Sequence, residues 1–226
     1  MQNFFLGKII VTCGPACAPV DAVRCITNFS TGELGTLLCD YLAEEGWEVF
    51  CLRGTGATYP CPLYAHILPF STNADLEQSL DQLSTLSSIV GVFHAAALCD
   101  FRVARIANHH GVKMTAKKIG SHSGNVQLTL EPMPKIIGRL RHFFPQSYIV
   151  GWKYELEGLL DEVLSKGYQQ IEAAATDACI VNGAALGSYF AFLEKGATLL
   201  LVPTKAQLCV HLGRWLFFHS QNRNTE

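Results

Sequence analysis

The sequence predicts an α/β fold, a mostly parallel β-sheet covered by helices on both faces, on three observations. Apolar, β-branched runs of strand length alternate with longer stretches whose apolar residues recur at helical spacing. Several of the short runs are continuously apolar, as parallel strands buried on both faces must be. Of the 226 residues 49% are hydrophobic and 16% charged, enough apolar material for one sizeable core and one domain over 1–226, and too much for a disordered chain.

The elements follow in order. KIIVT at 8–12 is the first strand, and EVFCL at 48–52, the segment 66–69, IVGVFHA at 89–95, YIVGW at 148–152 and 178–181 are the others. Between the first two, over 31–45, Leu34, Leu37, Leu38, Tyr41 and Leu42 recur at spacings of three and four, and Gly46 stops the pattern. The stretches 75–86, 133–143, 158–166 and 204–218 have the same helical period. Strand and helix in this alternation predict a Rossmann-like, doubly wound arrangement.

Two segments break the rhythm. The stretch 101–125 is polar, rich in His, Lys, Gly and Ser, and without period, so it reads as a long loop, and loops of that length are typically binding or lid segments. At 188–202, YFAFLEKGATLLLV reads as two strands around Glu194-Lys195-Gly196, a C-terminal β-hairpin extension that either pairs with a second subunit or adds an antiparallel edge to the sheet.

Composition narrows the partners. Seventeen basic against nineteen acidic residues, net −2, leave no electrostatic footprint for nucleic acid or an anionic membrane. No apolar run approaches the roughly 20 residues of a membrane span, and no charged leader precedes the first apolar run, so a cytoplasmic location is expected. Nine cysteines, an odd number without the dense spacing of a secreted disulfide scaffold, read as reduced thiols. Cys13 and Cys17 lack a second pair at zinc-ligand spacing.

The loop after the first strand carries the chemistry. Gly14 sits at the strand's carboxyl end and Ser30-Thr31-Gly32 immediately precede a helix, where unpaired N–H groups and the helix dipole favour a phosphate and small residues let it approach. The same serine or threonine read alone is equally a helix cap. Neither the G-x-x-x-x-G-K-[ST] run nor G-x-G-x-x-G is present. A nicotinamide-dependent oxidoreductase, which the fold alone would allow, therefore lacks its fingerprint, and no Tyr/Lys catalytic pair stands out.

VTCGPACAPVDAVRCITNFSTGELG at 11–35 resembles, without a gap, the opening signature of the phosphopantothenate-cysteine ligase (phosphopantothenoylcysteine synthetase) family, I-T-x-G-G-T-x-E-P-[IL]-D-x-V-R-x-[IL]-[ST]-N-x-S-[ST]-G-x-x-G. Gly14, Pro19, Asp21, Val23, Arg24, Asn28, Ser30, Gly32 and Gly35 fall on its positions. The resemblance continues in Ala95-Ala96-Ala97-Leu98-Cys99-Asp100-Phe101, in Lys118-Ile119-Gly120-Ser121, in LTLEPMPKII, VGWKYELEG and DACIVN, and at Lys205.

This family condenses 4'-phosphopantothenate with cysteine in coenzyme A biosynthesis. A nucleoside triphosphate activates the carboxylate as an acyl-nucleotidyl anhydride with release of pyrophosphate, and the cysteine amine then displaces the nucleoside monophosphate. The resemblance implies Mg²⁺, CTP or ATP with CTP favoured, a homodimer, and, with only a short segment before the first strand, a stand-alone ligase without flavin. It implies Asn28 and Lys118 as catalytic residues, stabilising the acyl oxygen and the phosphate charge. Gly14, Ser30, Thr31, Gly32, Ala96, Asp100 and Trp152 are implied for the nucleotide, Arg24, Asn28 and Ala97 for the acid substrate, and Asp100 for metal; Asn182 and Lys205 complete the set. Arg24 in a structural ion pair and Trp152 as plain core are the competing readings.

Four positions depart from the family pattern: Pro15, Ala16, Glu33 and Gly120 each remove a donor or a positive charge expected near a triphosphate. They motivate the alternative of an inactive relative that binds nucleotide or a partner without turnover. Lys113, Lys117, His109 and His110 are the basic loop residues available to compensate.

Overall fold

The computed structural model describes residues 5–115, 117–197 and 199–222; Ala116 of the predicted loop and Thr198 of the predicted hairpin lie outside the described residues. The chain runs β1 (Lys8–Cys13), β2 (Cys17–Pro19), β3 (Cys25–Thr27), α1 (Glu33–Glu44), β4 (Glu48–Gly54), β5 (His66–Phe70), α2 (Asn73–Ser84), β6 (Ile89–His94), β7 (Phe101–Asn108) and β8 (Val126–Pro132). It continues through α3 (Ile137–Phe143), β9 (Tyr148–Tyr154), α4 (Leu160–Ala174), β10 (Ala178–Asn182), β11 (Phe190–Glu194), β12 (Leu200–Val202) and α5 (Lys205–Asn222).

β1 shows why the sheet is covered twice. Ile9, Val11 and Cys13 join the core under α1 and α5, while Ile10 joins the core under α2 and α3, and all are essentially fully buried. On the first face Leu38, Leu42, Leu208 and Leu212 meet the sheet. On the second, Leu76, Leu80 and Leu140 do so, and α4 adds Val163 and Ile171 over Cys179 and Leu193. Each such leucine contributes about 1.5–3 kcal/mol by burial.

The eight-stranded sheet has the order β12-β11-β10-β9-β6-β1-β4-β5. Strands β5 to β10 in this order are parallel, and β11 and β12 are antiparallel additions. The doubly wound α/β reading holds, and the chain reverses its winding at β1, leaving for β4 on one side and returning to β6 on the other. The hairpin at 188–202 is the antiparallel edge addition, with β11 on β10 and β12 outermost.

The long loop needs correction. Of the stretch 101–125, residues 101–108 are a strand, paired antiparallel with 126–132 just beyond it in a two-stranded ribbon separate from the main sheet, and only the tip between them is irregular. β8 is exposed along its whole length and β7 buries only Ala107, with Val103, Ile106 and Asn108 half-buried, and the sequence of β7 carries no clean apolar alternation by which a strand is legible. The helix expected over 133–143 begins only at Ile137, after Pro134, and α4 runs to Ala174, beyond the 166 expected. Among the described residues no helix is long and apolar enough to cross a membrane.

Candidate functional site

The carboxyl ends of β1, β6, β9 and β10 open onto a cleft of about 850 Å³. Gly14, Asn28, Ser30, Thr31 and Gly32 line it from the first loop, Ala96, Ala97 and Asp100 from the segment after β6, and Trp152, Asn182 and Lys205 from the far side. Of the candidate catalytic and binding residues, Arg24 and Lys118 do not line it.

The first loop is built by short-range bonds. After β1 the chain continues alongside Ala97: the Ala97 N–H donates to Gly14 O at 3.0 Å and the Ala16 N–H to Ala97 O at 3.0 Å. β2 and β3 then form a small hairpin, which the sequence reading missed because each strand has only three residues. It returns the chain to the cleft, where Thr27 Oγ1 donates to Ala16 O at 2.6 Å and the Asn28 side-chain amide to Leu98 O at 2.7 Å.

Gly32 is the N-cap of α1 at φ 78°, with no side-chain cap, so the plain capping reading of Ser30 does not apply; Thr31 Oγ1 accepts only the Glu33 N–H, at 3.3 Å. A Cβ at Gly32 would sit 3.0 Å from Ala57 Cβ and 3.3 Å from Arg53 Nη1 in a backbone conformation that side chains disfavour. The first turn of α1 thus keeps N–H groups for a ligand at the positive end of the helix dipole. Beneath it Arg53 is buried and donates to Thr36 Oγ1 at 2.9 Å, to Ala57 O at 3.4 Å and to Tyr59 O.

The departures from the family pattern fall in defined places. Ala16 is fully buried in the core beside Ile10 and Leu52, so its side chain does not face the cleft. Pro15 packs against Gly54 and Gly56 and lines a smaller, neighbouring pocket. Glu33 forms an ion pair with Lys205, which cancels its charge at the cleft wall. Gly120 lies on the ribbon tip, away from the cleft, as do His109, His110, Lys113 and Lys117.

Lys118 is exposed on that tip. Its neighbours are docked on the turn after β2: the Asp21 carboxylate accepts the Ile119 N–H at 3.1 Å, Arg24 donates to Ile119 O at 2.7 Å, and the Ala22 N–H donates to Lys117 O at 2.9 Å. Val23 and Ile119 N–H groups hold the Asp21 carboxyl below its ordinary pKa. Arg24 also pairs with Asp21 at 3.5 Å, so in this structure it is a loop anchor, the ion-pair alternative named above.

Other side chains complete the site without any sequence signal. Asn73, at the start of α2, is buried and bonds both ways to the Cys99 backbone, donating to its carbonyl at 2.8 Å and accepting its N–H at 3.2 Å, which holds the segment carrying Leu98 and Asp100. His94 ends β6 in the cleft, and burial pushes its pKa down to about 4. Asp100 is paired with Lys135. Among the described residues no three His, Cys, Asp or Glu side chains gather as a metal site. The two carboxylates lining the cleft, Glu33 and Asp100, are each paired with a lysine, Lys205 and Lys135. All nine cysteines are free thiols, and Cys13 lies in the core 3.7 Å from Cys51.

The model of the DNA/pantothenate metabolism flavoprotein C-terminal domain family matches residues 6–208. A coenzyme A biosynthesis bifunctional protein CoaBC of Thermococcus kodakarensis is 33% identical over 175 residues, covering 77% of this chain and 41% of that protein. The CoaBC of Bacillus subtilis is 23% identical over 181 residues, 80% of this chain and 42% of the other. The chain thus spans about two fifths of the length of these relatives. Among solved structures, the DNA/pantothenate metabolism flavoprotein of Streptococcus pneumoniae superposes with a TM-score of 0.84 at 25% identity, covering 94% of this chain and 99% of that one. A Cab2 mutant in complex with phosphopantothenate-cysteine shares the fold, with a TM-score of 0.71 at 17% identity over 95% of this chain and 89% of the other.

Proposed function

The chain belongs to the DNA/pantothenate metabolism flavoprotein C-terminal domain family, and from that premise we propose that it is a phosphopantothenate-cysteine ligase of coenzyme A biosynthesis. The observation that carries this reading is the cleft at the winding reversal, whose walls hold every candidate site residue of the sequence except Arg24 and Lys118. The carboxylate of 4'-phosphopantothenate attacks the α-phosphate of CTP, or of ATP, pyrophosphate leaves, and the amine of cysteine then displaces the nucleoside monophosphate from the acyl carbon.

Both substrates are polyanions, and the residues support their binding. The Gly32 turn and the open start of α1 take phosphate oxygens, with the Arg53 charge beneath them. The Asn28 amide has a second hydrogen beyond the one given to Leu98 and can donate it to the acyl oxygen. Asp100 is the residue that would hold a Mg²⁺ brought by the triphosphate, in place of its present partner Lys135, and that ion would neutralise phosphate charge. A homodimer belongs to this reading: Val126, Leu128 and Leu130 form an exposed apolar stripe on one side of β8, and Leu200 and Leu201 are exposed on the edge strand β12.

The test is pyrophosphate release with 4'-phosphopantothenate, Mg²⁺ and CTP or ATP, with and without cysteine. Turnover to phosphopantothenoylcysteine is expected with the wild type and loss of it with Asn28→Ala. Folded protein that releases no pyrophosphate from either nucleotide overturns the ligase reading. The position of Lys118 outside the cleft favours the second reading, a relative that binds nucleotide without turnover. Nucleotide binding in that same inactive protein would establish it.

A further inference from the structure

His94 is the last residue of β6, paired with Thr12 of β1 on one side and Gly151 of β9 on the other. It stands at the carboxyl end of β6, beside β1 where the sheet reverses its winding, the place where open α/β sheets take their ligands. Trp152 follows its β9 partner directly and lines the same cleft.

The hydrogen bonds around the ring favour one tautomer. Thr12 Oγ1 lies 3.0 Å from His94 Nδ1, and it accepts the Ala96 N–H at 3.2 Å. A hydroxyl has a single proton to donate, and Nδ1 is the acceptor within reach of this buried one. With Nδ1 accepting, the buried hydroxyl has a partner for its proton. Burial disfavours a second proton on the ring. A neutral imidazole whose Nδ1 accepts must carry its hydrogen on Nε2, and no bond of this structure uses that N–H among the described residues.

We propose that the Nε2–H of His94 is a specificity contact of the cleft, donating a hydrogen bond to an uncharged acceptor on the base or sugar of the bound nucleotide. The inference rests on the nucleotide-dependent reading above. An uncharged donor adds little for a polyphosphate already met by the start of α1, but it matches a carbonyl oxygen, a ring nitrogen or a hydroxyl.

The test is equilibrium titration of the folded chain with CTP, ATP and inorganic pyrophosphate, each with Mg²⁺, for wild type, His94→Phe and His94→Gln. The expected result is a roughly tenfold loss of affinity for the preferred nucleotide in His94→Phe, the worth of one hydrogen bond, with pyrophosphate affinity unchanged. His94→Gln, which keeps an N–H donor, recovers most of the loss. Unchanged nucleotide affinity in His94→Phe, or equal losses for nucleotide and pyrophosphate, overturns the role of His94 while leaving the nucleotide cleft standing. A wild type that binds neither nucleotide overturns both. ¹⁵N NMR of the wild-type histidines needs no variant to fold: protonated Nε2 with bare Nδ1 is expected for His94, and the opposite tautomer refutes the inference.

Discussion

The side-chain amide of Asn28 donates to the backbone carbonyl of Leu98 at 2.7 Å, tying the loop after β1 to the segment after β6 across the mouth of the cleft. One amide hydrogen is thereby fixed and the other oriented, so Asn28 is preorganised before any ligand arrives.

Asn28→Asp removes both hydrogens and sets a carboxylate against the Leu98 carbonyl. The expected loss in kcat for pyrophosphate release is about 10²–10³-fold, the range for one lost oxyanion donor. Circular dichroism should be unchanged, because Asn28 is exposed and outside the core.

Arg53→Ala leaves the Thr36 hydroxyl and the carbonyls of Ala57 and Tyr59 without their donor beneath the Gly32 turn. A destabilisation of about 2–4 kcal/mol in urea unfolding is expected, and Arg53→Lys should recover little of it, since an ammonium cannot span the same acceptors.

Lys205→Ala exposes the charge of Glu33 at the cleft wall beside the start of α1. The KM for the nucleotide should rise severalfold, more at low salt than at high. The double variant Glu33→Gln with Lys205→Ala should return towards wild type, since the extra negative charge is gone.

His94 is neutral when folded, with its pKa lowered by burial from 6.5 to about 4, so the unfolded chain binds the extra proton first as pH falls. Its contribution is fully present above pH 6.5 and is lost as pH drops from there towards 4. The loss reaches about 3 kcal/mol at most. Unfolding midpoints measured between pH 7.5 and 4.5 should show this slope reduced in His94→Gln.

Asp21→Asn keeps the shape of the turn but weakens the carboxylate's hold on the Val23, Arg24 and Ile119 N–H groups. Cleavage of the ribbon tip in limited proteolysis should accelerate. Turnover should fall with it if Lys118 acts from this tip, as the ligase reading requires.

The sequence by itself determined the doubly wound sheet and most of the cleft. Buried strands and amphipathic helices write their period into neighbouring residues, as Ile9 to Val11 and Leu34 to Leu42 do, and Gly14, Asn28 and Gly32 share one contiguous segment with the β1 end that positions them. Tertiary structure alone decided who meets whom. Glu33 finds Lys205 across 172 residues, Thr12 meets the ring of His94 across 82, and Asn73 grips Cys99 across 26. The ribbon of β7 and β8 was missed for a related reason: FRVARIAN of β7 does not alternate cleanly, and the alternation of Val126, Leu128 and Leu130 in β8 faces no core. Local pattern records only which side of an element is dry, whereas hydrogen-bond partners and charge neutralisation depend on strand order, which brings distant segments within about 3 Å of each other.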